Sequence, residues 1–163
     1  MASGLGTTML GLWGSAKTRT KRTSSAREEN PRTLAIMRPG PERDALQAIF
    51  READWDLAIA ESLSFALTSQ KTHPFPIVLW ERALLDCDWH KAVSVLSGLP
   101  PRPWVILLSG HSDKNLWDDL TGFGGSDILR TPLDKEAVVR AIRSGWFLWR
   151  HLEQLHRSTR RRS

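Results

Sequence analysis

The chain has 163 residues, of which 40% are hydrophobic and 25% are charged, and its net charge is +5. This length and composition are typical of one soluble globular domain with additional segments at its ends. No run approaches the roughly 18 apolar residues of a membrane helix, so we expect no membrane span. The single cysteine, Cys87, excludes an internal disulfide, and we expect a reducing cytoplasmic location.

The positive charge is confined to the two ends of the chain. Residues 1–32 hold six Lys and Arg against two Glu, and residues 150–163 hold five Arg against one Glu. The middle, residues 33–149, holds 12 basic and 15 acidic residues. We predict a disordered basic segment over 1–32, a domain over 33–149 and a basic extension over 150–163. A slightly acidic domain does not favour nucleic-acid binding by the folded part.

From Thr33 onward, five short apolar runs alternate with five helical patterns. Each run has the length of a strand, and each helical pattern places apolar residues three or four positions apart. The predicted strands cover residues 33–37, 56–60, 76–80, 104–108 and 126–130. The predicted helices begin near Pro41, Leu63, Asp88, Asp113 and Asp134.

Strands with continuous apolar runs are typical of parallel sheets that are covered by helices on both faces. Strict alternation of strands and helices predicts the same arrangement, with right-handed crossovers. We therefore predict a flavodoxin-like (βα)5 doubly wound parallel sheet with strand order 2-1-3-4-5. In such a sheet, functional residues lie at the carboxyl ends of the strands, around the first, third and fourth.

Three stretches in order carry a resemblance to a known family: residues 75–89, 104–113 and 124–133. They resemble the third strand with its loop, the fourth strand with its turn, and the fifth strand with its proline turn, in receiver domains of bacterial two-component response regulators. The resemblance covers about residues 33–149. It implies a signalling domain that takes a phosphoryl group on a strand-three aspartate, next to Mg²⁺ held by two acidic residues. It also implies a cis peptide bond between Thr131 and Pro132.

Several positions depart from the chemistry of that family. Glu81 stands at the phosphoacceptor position, and its extra methylene displaces the carboxylate for in-line attack. Arg38 and Pro39 stand at the acidic pair, where a cation repels Mg²⁺ by about 1–4 kcal/mol per unit charge at 4 Å. Thr131 replaces the strand-five lysine, and Ile128 replaces the switch aromatic.

Ser109 keeps the strand-four hydroxyl, so the resemblance retains one chemical part of the pocket. We therefore predict a degenerate pseudo-receiver that is not an enzyme, holds no metal and needs no cofactor. Two interpretations of Glu81 stay open. Its carboxylate could imitate the phosphorylated state, paired with Arg38 across the cleft, or it could be an ordinary strand-end carboxylate in a decayed site.

Other residues with chemical potential have structural explanations that we favour. Asp86 and Asp88 fit a loop and a helix cap better than a metal pair. His90 and His111 lack partners at metal-ligand spacing. Cys87 lacks the sequence pattern of a catalytic cysteine.

The last helix is the best candidate for an interaction surface. Its apolar stripe extends past residue 148, where a receiver's last helix usually ends, and includes Ile142, Trp146, Trp149 and Leu152. We predict docking of a signalling partner, or self-association, on this stripe. The alternative is that Trp146 and Phe147 only close the domain.

The sequence thus predicts a stand-alone pseudo-receiver that acts in two-component-type signal transduction through protein–protein contact. Two alternatives remain: a phosphorelay receiver with an unorthodox acceptor, and a basic-tailed nucleic-acid-associated protein. The second rests on the four arginines near the end of the chain, which could contact phosphates.

Overall fold

The computed structural model describes residues 30–111 and 113–162, where five strands alternate with five helices. The strands are β1 (Thr33–Ile36), β2 (Leu57–Ala60), β3 (Ile77–Glu81), β4 (Trp104–Ser109) and β5 (Asp127–Arg130). The helices are α1 (Pro41–Ala53), α2 (Leu63–Thr72), α3 (Trp89–Ser97), α4 (Leu116–Gly122) and α5 (Lys135–Arg161). The predicted elements and their order are confirmed. The largest difference is at α4, which begins three residues later than predicted.

All five strands are parallel and lie in the order β2-β1-β3-β4-β5, as predicted. Every residue of β1 and β3 is buried, which explains the continuous apolar runs of the sequence. Because the strands are parallel, their carboxyl ends share one edge of the sheet. That edge carries the residues after Ile36, Trp80 and Leu108.

Two apolar cores cover the two faces of the sheet. Leu34, Val78 and Trp80 face the core that is closed by α2, α3 and α4. Ala35 and Leu79 face the core that is closed by α1 and α5. Neighbouring strand residues alternate between these cores because successive side chains of a strand point to opposite faces. The chain therefore forms the doubly wound architecture that the sequence predicts.

The ends of the helices follow from local chemistry. Asp134 caps α5, since its Oδ2 accepts a hydrogen bond of 3.0 Å from the backbone N–H of Ala137. Pro41 opens α1, where the missing N–H of proline has no effect on the hydrogen bonds of the helix. The predicted cis bond at Thr131–Pro132 is confirmed, and Pro100–Pro101 is also cis.

The compact unit begins at Pro31, two residues before the predicted boundary at Thr33. Pro31 is buried, and the Arg32 guanidinium lies 4.8 Å from the centre of the Phe75 ring. The rest of the predicted disordered segment, residues 1–29, lies outside the described residues. Within the described ranges, no helix is both long and apolar enough to cross a membrane.

Asp127 is the first residue of β5 and is only partly exposed. Burial raises the pKa of its carboxyl group. The backbone N–H of Ile128, which donates to Oδ1 at 2.8 Å, opposes this rise in pKa. A raised pKa means that the ionised carboxylate destabilises the folded state, and that this penalty grows as pH rises through the folded-state pKa. We expect Asp127→Asn to stabilise the protein at neutral pH by less than about 1 kcal/mol, because water still reaches the residue.

Urea denaturation at neutral pH and at pH near 3 measures this effect, and the gain should vanish at the acidic end, where both states are protonated. Asp56→Asn, at an exposed position before β2, is the matched control, and we expect this surface substitution to change stability by less than about 0.5 kcal/mol. A loss of stability in Asp127→Asn at neutral pH would contradict the expected result.

Candidate functional site

The carboxyl edge of the sheet brings together the residues at which the sequence predicts a degenerate pocket. Glu81 ends β3, Ser109 ends β4, and Thr131 follows β5. The backbone N–H of Thr131 donates to the carbonyl oxygen of Ser109 at 3.1 Å. Arg38 follows β1, the neighbour of β3, so it reaches the same cleft.

Arg38 contacts Glu81 at two points across this cleft, through an ion pair and a backbone hydrogen bond. The backbone N–H of Arg38 donates to Glu81 Oε2 at 2.9 Å, and its Nε donates to Oε1 at 3.0 Å. The Glu81 side chain is only 12% exposed, whereas that of Arg38 is 59% exposed. Both carboxylate oxygens are therefore bound by protein donors, in charge-assisted hydrogen bonds that are stronger than neutral ones.

Arg82 is a site residue that the sequence did not predict. Its Nη1 donates to the Ser109 hydroxyl at 3.2 Å, and its Nη2 donates to Asp113 Oδ2 at 2.6 Å. The guanidinium also lies 5.7 Å from the centre of the Trp89 ring. Its side chain therefore joins the end of β3 to the end of β4 and to the segment that leads into α4.

The Ser109 hydroxyl is engaged on several sides. It donates to the carbonyl oxygen of His111 at 2.7 Å and accepts from the backbone N–H of His111 at 3.2 Å, in addition to the bond from Arg82. Ser109 is 2% exposed. The resemblance places this hydroxyl against a phosphoryl group. In this structure it instead stabilises the turn after β4 and binds the Arg82 side chain.

The remaining predicted pocket residues contribute little polar chemistry. Thr131 is half-buried, and a Cβ built on Gly110 would lie 3.1 Å from its hydroxyl oxygen, so the β4 turn passes close to it. Ile128 packs against the core on the α2–α4 side of the sheet. Pro39 is exposed and has no N–H to donate.

The donor set of this cleft does not fit a Mg²⁺ ion. Mg²⁺ needs oxygen ligands in near-octahedral geometry, and both Glu81 oxygens already accept hydrogen bonds from Arg38. A second cation, Arg82, lies beside Ser109. In residues 30–111 and 113–162, no group of three or more His, Cys, Asp or Glu side chains is arranged to hold a metal ion.

Asp86 and Asp88 have separate structural roles. Asp86 Oδ2 accepts a hydrogen bond of 2.8 Å from the backbone N–H of Leu63, at the start of α2. Asp88 lies 3.0 Å from Nδ1 of His90, and this hydrogen bond lowers the pKa of the Asp88 carboxyl group. The pKa of the Cys87 thiol is raised, first by burial and then by Asp86, which opposes thiolate formation.

The predicted interaction surface on α5 needs one correction. Ile142 is 0% exposed and belongs to the core, because this turn of the helix still lies on the sheet. Trp146 and Trp149 are half-buried and stack on each other with ring centres 5.6 Å apart. Leu152, which the sequence also placed on this surface, is exposed, and the other large exposed apolar side chains of α5 are Phe147, Leu148 and Leu155.

Structure comparison finds receiver domains. One from an HD domain-containing protein of Pseudomonas fluorescens matches with a TM-score of 0.68 and 20% identity, over 75% of this chain and 98% of that chain. The beryllofluoride-activated NtrC4 receiver domain dimer matches with a TM-score of 0.67 and 20% identity, over 73% of this chain and 98% of that one.

The receiver domain of a sensor histidine kinase from Pseudomonas aeruginosa, which has magnesium coordinated in its active-site cleft, matches with a TM-score of 0.62 and 14% identity. That match covers 71% of this chain and 96% of the other. No family model matches the sequence, and no curated protein matches it significantly. The chain therefore has the fold of response regulator receiver domains, as the sequence predicts.

Proposed function

We propose that this protein is a pseudo-receiver in two-component-type signal transduction, and that it acts by protein–protein contact without aspartate phosphorylation. The observation that carries the proposal is the state of the Glu81 cleft. Both oxygens of the Glu81 carboxylate accept hydrogen bonds from Arg38. The hydroxyl of Ser109, at the end of β4, accepts a hydrogen bond from Arg82.

The chemistry of phosphoryl transfer supports this proposal. A carboxylate acceptor needs a free oxygen in line with the leaving group, and a metal ion to neutralise the developing charge. Both Glu81 oxygens are engaged, and the position of the acidic pair holds Arg38 and Pro39. The guanidinium groups of Arg38 and Arg82 are already paired with protein groups, so their charge is less available to a phosphodonor than that of a bound Mg²⁺ would be.

The Arg38–Glu81 pair also bears on the two interpretations of Glu81. The pair joins the end of β1 to the end of β3, which gives Glu81 a structural role independent of any imitation of phosphate. We propose that this link, together with Arg82, holds the cleft in one fixed arrangement. A cleft with one fixed arrangement is more consistent with a domain that presents a constant surface to a partner than with a domain that catalyses a reaction. A cytoplasmic location belongs to the same proposal.

Incubation with acetyl phosphate and Mg²⁺, followed by intact-mass spectrometry, tests the proposal. We expect no added phosphoryl group on the full chain, whereas a receiver domain with its aspartate and acidic pair should gain one in the same experiment. A phosphoryl adduct that is lost in Glu81→Gln would show instead that Glu81 is an unorthodox acceptor, and the proposal would be wrong.

A further inference from the structure

A groove of about 960 Å³ lies at the opposite edge of the sheet from Glu81. One wall is the Pro-rich segment Leu99–Pro103, which leads into β4, and the other is the second half of α5, from Trp149 to Arg160. Trp149 connects the two walls, because its Nε1 donates to the carbonyl oxygen of Arg102 at 3.1 Å. The groove is therefore a built feature of the fold and does not belong to the degenerate pocket.

The walls and floor of the groove suit an apolar side chain. Leu99, Trp149 and Leu152 line it, and Leu152 is 46% exposed. The three prolines of the Leu99–Pro103 wall have fixed φ angles, so this wall loses little conformational entropy when a ligand binds. A preformed apolar groove beside an exposed leucine is typical of sites that receive an amphipathic peptide segment.

The rim of the groove is basic. Arg102, Arg157 and Arg160 line it, against a single carboxylate from Glu153. Within the described part of the chain these three arginines form no salt bridge, although Arg102 Nη2 donates to the carbonyl oxygen of Gly124 at 3.0 Å. Arg157 and Arg160 are exposed on α5, so their guanidinium groups are available to an acidic ligand.

The two basic end segments of this chain are poor candidates to bind in the groove, because their charge has the same sign as its rim. Residues 1–32 carry six basic and two acidic residues, and residues 150–163 carry five Arg and one Glu. Either segment, including the same helix of a second copy, would bring positive charge to a positive rim. We propose that the groove binds an acidic amphipathic segment of another protein, with apolar side chains against Trp149 and Leu152 and carboxylates on Arg157 and Arg160. This inference rests on the proposed function and names the chemistry of the partner.

Fluorescence anisotropy with a labelled synthetic peptide, in which Glu and Leu recur at helical spacing, tests the proposal on the full chain. We expect saturable binding that weakens with added salt. A peptide with Lys in place of Glu, and another with Ser in place of Leu, should both fail to bind. Leu152→Ser should also weaken binding, and it leaves the core intact because Leu152 is exposed.

A matched pair of variants separates the groove from general charge. Arg157→Gln with Arg160→Gln should weaken peptide binding by about tenfold, which corresponds to losing two surface ion pairs of about 0.7 kcal/mol each, within their usual range. Arg161→Gln with Arg162→Gln removes the same charge from the same end of the chain, at positions that do not line the groove. This control should change affinity by less than about threefold, through screened long-range attraction only.

Three outcomes of the binding experiments would overturn the inference, as would one outcome of a mass measurement. The first is absence of binding, the second is equal loss in both double variants, and the third is tighter binding of a single-stranded oligonucleotide with the same salt dependence. A mass that doubles with concentration in the absence of peptide, and that falls in Leu152→Ser, would identify a second copy as the occupant and also overturn it. None of these results depends on phosphorylation. A failure here is therefore distinguishable from a phosphoryl adduct on Glu81, which would contradict the proposed function.

Discussion

Glu81→Ala is expected to lower the free energy of unfolding by about 2 kcal/mol, which is within the range for loss of hydrogen bonds to a charged group. The substitution removes the carboxylate that accepts from the backbone N–H and the Nε of Arg38. It also leaves a void at a position that is only 9% exposed. Urea denaturation of the full chain measures the change.

Glu61→Ala is the matched control for this prediction. Glu61 forms an ion pair of 2.8 Å with Arg43, but its side chain is 61% exposed, so water replaces the lost contact. Exposed pairs of this kind contribute about 0–1 kcal/mol, and we expect the control to fall in that range. Equal losses in the two variants would mean that the Glu81 cleft is no more stabilising than a surface pair.

Gly145→Ala is expected to destabilise the protein by about 1–2 kcal/mol, although alanine favours a helix over glycine by about 1 kcal/mol. Gly145 is buried in α5, and a Cβ at this position would lie 2.6 Å from Cδ1 of the Trp104 indole. Either the helix or the indole must move, and overpacking of this kind costs about 1–3 kcal/mol. Thermal and urea denaturation measure the loss, and near-UV circular dichroism reports the displaced indole.

Gly122→Ala provides the opposite expectation. Gly122 is the last residue of α4, and a Cβ there would meet no atom within 4 Å. We expect its substitution to leave stability unchanged or slightly raised. If Gly145→Ala behaved like Gly122→Ala, the close approach of α5 to Trp104 would have no energetic importance.

The fold could be predicted from the sequence because its signals are redundant. Runs such as residues 76–80 and 104–108 are apolar without interruption, and buried parallel strands need that pattern. Residues with fixed preferences, such as Pro41 and Asp134, mark the starts of helices. The start of α4 was less well predicted, because Asp113 and Asn115 are both residue types that favour an N-cap, and Asn115, which stands at the N-cap, makes no capping hydrogen bond with its side chain.

The candidate site was only partly predictable. The topology of a parallel sheet determines which residues lie at its carboxyl edge. The sequence could therefore predict that Arg38, Glu81 and Ser109 lie together there. Arg82 escaped prediction because its role depends on where a long flexible side chain points, and a single arginine after a strand has no distinctive pattern. The burial of Ile142 was missed for a similar reason. Periodicity alone cannot tell which turns of a long amphipathic helix still lie on the core.

The bridge made by Arg82 has a consequence for how such a protein could be regulated. The Arg82 guanidinium contacts both Ser109 and Asp113, so it links Asp113, which lies before α4, to the ends of β3 and β4. Under the proposed function, we expect this link to oppose movement of Asp113 between two positions. Under the proposed function, the signal would then depend on the amount of this protein in the cell. Synthesis and degradation would set that amount, and it would determine what fraction of the partner is bound.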